Sequence, residues 1–217
     1  MRLLGSIERS ALADHRSRPA AAWWVVLPFC AALGLAVSLL VLVGTVEALR
    51  ATARLGFLFF WPAYASGALV SLFGSAFQPL KRLGREYGLA FASVLVVHLA
   101  LVARLCLIGS APSSTTFVIF GTAAAFAYML AFFSIPRLQH ALRPECWKAL
   151  RIIGMNYIAF AFVLDFHALG FLRHPLGGGI LHVLEYALFA ALAIAGPCLR
   201  LAQFAQRATQ GLNGSSP

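Results

Sequence analysis

Six histidines are spread along the 217 residues, and two of the three inside long apolar runs, His98 and His167, lie well away from the start of their runs. His98 lies in the middle of the run 88–109, and His167 lies in the run 149–172 within Phe162-Val-Leu-Asp-Phe-His-Ala. An imidazole at bilayer depth must face protein, a water-filled cavity or a metal. His98 follows Arg85 by thirteen positions and His167 follows Arg151 by sixteen. At the helical rise the two depths therefore differ by about 4 to 5 Å, which ordinary tilts absorb. Two neutral imidazoles at similar depth can clamp one flat haem b between two helices. Equally, each can hydrogen-bond a carbonyl or hydroxyl of a neighbouring helix. His182 and Glu185 share a helix face, as a proton-handling or quinone site or as a plain hydrogen-bonded pair. His15 and His140 fall in a polar tail and a cytoplasmic loop and are read as solvated, and His174 sits in an outer loop.

Composition demands helices to hold these residues. The chain is 61% hydrophobic and 11% charged, with a mean hydropathy of +0.84. An average soluble domain carries about 25% charged residues, so the class is integral membrane. Apolar runs at 20–46, 55–77, 88–109, 115–136, 149–172 and 178–198 are each long enough for the roughly 20 helical residues that cross a hydrocarbon core. A helix satisfies every backbone amide within its own segment. The expected fold is an all-α bundle of six spans over residues 20–203. It lies between a cytoplasmic N-terminal tail, 1–19, and a disordered C-terminal tail, 204–217. Within the second run, Gly67, Ser71, Gly74 and Ser75 suit close helix contact.

The net charge of +10 is distributed as a topology signal rather than as a nucleic-acid surface. Four basic residues lie in the N-terminal tail, and Lys81, Arg82, Arg85, Arg137, Arg143, Lys148, Arg151, Arg200 and Arg207 lie in alternate connections and at the C-terminus. Arg50, Arg54, Arg104 and Arg173 fall on the opposite side. Both termini are therefore expected in the cytoplasm. The four cysteines, Cys30, Cys106, Cys146 and Cys198, have neither disulfide nor zinc spacing.

Several motifs give the chain a family likeness. Pro79-Leu80-Lys81-Arg82 is followed by Arg85-Glu86-Tyr87-Gly88-Leu89-Ala90-Phe91, with His98 ten residues after Gly88. Phe133-Ser-Ile-Pro-Arg and Trp147-Lys-Ala-Leu come later. Over roughly residues 56–167 these stretches resemble the ferric-reductase-like transmembrane domain, most nearly the bacterial haem membrane subunits of the quinone-linked methionine sulfoxide reductase type. The resemblance implies a bacterial inner-membrane protein with His98 as a haem ligand and His167 as the later one. It also implies single-electron transfer from a separate flavoprotein or quinol. The chain departs from the family at Arg151, where the family pattern Trp-x-x-Leu-His-Arg has a histidine. His167 lies twenty residues after Trp147, against about seventeen in the family.

No second histidine lies thirteen or fourteen residues from His98, so one haem at most is expected. Arg104 and Arg173 are candidate partners for haem propionates, because a guanidinium matches a carboxylate fork, and solvated or snorkelling arginines are the plain alternative. Asp165 is read as an interfacial carboxylate on a different face from His167. Neither G-x-G-x-x-G nor a P-loop is present, so a nicotinamide cofactor would need a partner to oxidise it. The rival functions are a haem-free scaffold or assembly subunit, supported by Arg151, and a small transporter using Glu185, Asp165 and Arg104.

Overall fold

The structure, a computed structural model, describes residues 45–134, 138, 142–169 and 179–213, the side chains of 168–169, 179–183, 185 and 211–213 excepted. Every regular element among them is helical. In chain order they are α1 Thr45–Phe73, α2 Gln78–Arg82, α3 Gly84–Leu107, α4 Ser114–Phe133, α5 Pro144–Leu164 and α6 Gly179–Asn213. A 3₁₀ turn, Ser75–Phe77, precedes α2, and a π-helical turn, Asp165–Leu169, extends α5. Thr45–Phe73, Gly84–Leu107, Ser114–Phe133, Pro144–His167 and Tyr186–Gln210 are long and apolar enough to cross a membrane. The predicted run 20–46 lies outside the described residues except for its last two.

Local chemistry sets the ends of these helices. Gly74, at φ +86°, terminates α1 in a conformation that a side chain would strain. Ser113 caps α4 by accepting a hydrogen bond from the Thr116 amide at 3.3 Å. Pro144 opens α5 in the first turn, where its missing N–H costs nothing. Two boundaries differ from expectation. α1 is already helical at Thr45, so Arg50 and Arg54 belong to the helix rather than to a loop. The ion pair between Arg50 and Glu47, at 2.8 Å and one turn apart, makes this tolerable. α6 continues to Asn213, so residues 204–213 are helix where a tail was expected; Ala, Gln and Arg, all good helix formers, dominate that stretch.

α1 is the hub. Ala48, Thr52, Gly56, Phe60 and Ala63 recur every three or four residues and are buried. Thr52 meets His98, a Cβ on Gly56 would touch Phe91 and Val94, and Ser66 lies beside Gly84. Each step forward along α1 is thus a step back along α3, the pattern of an antiparallel pair. α6 runs parallel to α1 instead. Trp61 Nε1 donates to Leu192 O at 2.8 Å, Arg200 Nε to Tyr64 O at 3.2 Å and Gln203 Nε2 to Gly67 O at 3.2 Å. The Arg200 guanidinium also lies 4.2 Å over the Tyr64 ring, while the Tyr64 hydroxyl donates to Asn156 Oδ1 of α5 at 2.9 Å. One end of the bundle therefore gathers Lys81, Arg82, Arg85, Lys148, Arg151, Arg200 and Arg207.

The small residues that admit close packing are not those expected. Gly67 has nothing within 4 Å of where a Cβ would stand, and α1 ends before Gly74 and Ser75. The tight positions are Gly154 and Gly196. A methyl group at Gly154 would come 3.1 Å from Leu130 Cδ1, and one at Gly196 would come 3.1 Å from the Tyr64 ring. Replacing Gly196 with Leu should prise α6 from α1 and cost about 1 to 3 kcal/mol. In a denaturing-detergent titration the variant should unfold earlier than the parent, whereas Gly67→Ala should not shift the midpoint.

Candidate functional site

A half-open cavity of about 560 Å³ lies between α1, α3, α4 and α5, with Tyr186 of α6 in its wall. His98 is in its wall. α1 supplies Thr52 from the buried stripe and, on either side of it, Arg50 and Arg54; α5 and its π-helical turn supply Phe162, Asp165 and Phe166. The opposite limit of the cavity is apolar, formed by Phe91 and Ile158.

The geometry at His98 constrains its protonation. Its Nδ1 lies 3.0 Å from Thr52 Oγ1, and Thr52 is 1% exposed. The same Oγ1 lies 2.9 Å from Ala48 O and 3.0 Å from Leu49 O of its own helix. A hydroxyl carries one proton, and two tautomers suit this contact: Thr52 donates to Nδ1, or it gives its proton to a carbonyl and accepts at His98, so that Nδ1 carries the ring proton and Nε2 keeps its lone pair. The second is how a ligating imidazole is oriented by an outer partner. Either is how two helices are held together by a buried polar pair.

Charge collects at the Thr45 end of the cavity. Arg50 pairs with Glu47, and the Arg54 guanidinium stands 5.1 Å over the Tyr186 ring. Aromatic rings close the other side. Phe57 packs against Phe162 and Phe166 at centroid distances of 5.1 Å each, and Phe60 against Phe91 at 5.4 Å. Such contacts contribute about 0.5 to 1.5 kcal/mol each beyond area burial.

The predicted site residues are only partly brought together. His167 is exposed and is not in the cavity wall; its Nδ1 lies 3.2 Å from Val163 O, one turn back on its own helix. Asp165 is in the wall instead, because two residues of a helix turn the side chain to nearly the opposite face. Arg104 is exposed near the end of α3 and does not line the cavity. Arg173 lies outside the described residues, as do the side chains of His182 and Glu185. Sequence reasoning missed Thr52, Arg50 and Arg54. The i, i+4 spacing of the two arginines inside a helical pattern was their signal, and counting them as loop charges hid it. Among the described residues no three His, Cys, Asp or Glu converge on a point, and Cys106, Cys146 and Cys198 are free.

No family model, curated protein or solved structure matches the chain.

The Thr52–His98 bond has a measurable worth. An interhelical hydrogen bond in a membrane protein contributes about 0.6 to 1.7 kcal/mol, so Thr52→Val should lower unfolding free energy by about 1 kcal/mol. Thr52→Ser keeps the hydroxyl and should recover most of that loss in the same detergent titration.

Proposed function

We propose that the chain is a membrane b-type haem protein that passes single electrons between a separate flavoprotein or quinol and an acceptor. The observation that carries this reading is the pairing of His98 with a cavity of cofactor size. The volume of about 560 Å³ falls within the range of roughly 300 to 1,000 Å³ for cofactor sites, and most of the wall is apolar. The donor set fits as well: one neutral imidazole with its orientation fixed by Thr52, and two guanidiniums at one end suited to carboxylates. Haem, when bound, supplies a one-electron iron couple whose potential the surroundings tune. His98 would hold the group through Nε2, and Thr52 would keep that nitrogen deprotonated and aimed. Arg50 and Arg54, already partnered by Glu47 and Tyr186, would add positive charge at the end where its carboxylates would stand, and Phe162 and Phe166 would line it with apolar surface. The likeness of the motifs around Gly88 and His98 to the ferric-reductase-like family supports the same reading.

A haem-free scaffold is the second reading, favoured by the Thr52–His98 bond, which satisfies the imidazole Nδ1 without any cofactor. Visible absorption separates the two. Protein purified from haem-replete cells should show a b-type spectrum that sharpens with dithionite, at about one haem per chain. His98→Ala should abolish it, and His167→Ala should leave haem bound. A colourless preparation would leave the scaffold; loss of haem on His167→Ala would restore ligation by two histidines.

The concentration of basic residues at one end supports placing that end in the cytoplasm. A reporter inserted at Ser110, between α3 and α4, should then read as external and one at Arg143 as internal. The reverse pattern would invert the bundle.

A further inference from the structure

A second cavity, of about 200 Å³, lies at the basic end of the bundle and has a different character from the first. Arg85 of α3 and Arg151 of α5 stand in its wall with Trp147 and Ser134, and among the described residues no carboxylate lines it. Its floor is Phe60, Met155 and Ile158. Gly88 helps to make the space, since nothing lies within 4 Å of where its Cβ would stand. We infer that this cavity binds one anionic phospholipid, with the phosphate between Arg85 and Arg151 and the start of an acyl chain on the apolar floor.

The alternative for two arginines at a helix end is that they only mark topology. Topology requires positive charge on the correct side of the membrane, but it does not require two guanidiniums from different helices around one hollow. Basic pockets between membrane helices are where anionic headgroups bind, at about 1 kcal/mol per arginine or lysine near the surface. A free phosphate would match the arginines but leave the apolar floor unused, whereas an amphiphile matches both. Trp147 adds an amphipathic ring of the kind that sits at headgroup level.

The test is native mass spectrometry of the full chain released from micelles doped with phosphatidylglycerol or phosphatidylcholine. It reads bound lipid and is independent of any haem spectrum. The parent chain should retain one phosphatidylglycerol at least about tenfold in preference to phosphatidylcholine, the ratio expected of two such contacts. The double variant Arg85→Gln/Arg151→Gln should bring the ratio close to one. Gly88→Leu, which fills the cavity without changing charge, should also lose the retained lipid. Arg207→Gln, at the same end but outside the cavity, should change nothing. Equal retention of the two lipids by the parent, retention that survives Gly88→Leu, or an equal loss from Arg207→Gln would each overturn the inference. So would displacement of the lipid by millimolar inorganic phosphate, which would make the ligand a free anion.

Discussion

A single hydroxyl, that of Thr52, holds together what the rest of the bundle depends on. It lies within hydrogen-bond distance of carbonyls of its own helix and of an imidazole on the next. Thr52 is buried and cannot turn to water instead, so this contact favours one register of α1 on α3. A shift by one residue would carry Thr52 about 100° around α1 and leave His98 facing an alanine with no hydroxyl. The register in turn decides which side chains stand opposite each other down the pair, Gly56 against Phe91 and Val94 and Ser66 against Gly84. It also sets His98 level with Arg50 and Arg54, toward one end of the bundle rather than at its centre.

The bundle interior is divided, not continuous. Phe91 and Ile158 belong to the walls of both cavities, and the rings of Phe57, Phe60, Phe162 and Phe166 pack into one cluster with Phe91. Dispersion and edge-to-face contact make such a cluster stiff. The arrangement keeps the two charged regions apart: the Thr45 end has Arg50, Arg54 and Asp165, and the far end has Arg85 and Arg151.

What the sequence made legible follows from what composition and period can encode. Helical spans of membrane length were readable because lipid allows little else, and five of the expected runs are such helices. His98 stood out because a lone imidazole in an apolar run has few bland explanations. Its partner did not, because a threonine in a helix is unremarkable until the opposing helix is known. Hydropathy also placed the start of α1 too late. Arg50 and Arg54 lower the local average, while the ion pair with Glu47 and the ring of Tyr186, distant in sequence, are what keep them helical. The contact glycines were misplaced for a similar reason. Gly154 and Gly196 are recognisable only from the rings and methyl groups that approach them from α4 and α1.

The hub helix reaches its partners in an order that matters when the chain is made. Carrying Arg54 within an apolar helix is costly for that helix on its own, at about 2.5 to 3.5 kcal/mol if it sits near the bilayer centre and less toward the interface. The ring that covers Arg54 belongs to Tyr186, and the carbonyl that accepts from Trp61 belongs to Leu192; both lie on α6. During synthesis α1 leaves the ribosome more than a hundred residues before α6 is complete. Until then its α6-facing side lacks the partners seen in the finished bundle. The earliest of the described helices is thus finished by the last, and a nascent chain halted before Tyr186 would hold α1 in an incompletely packed state open to membrane quality control.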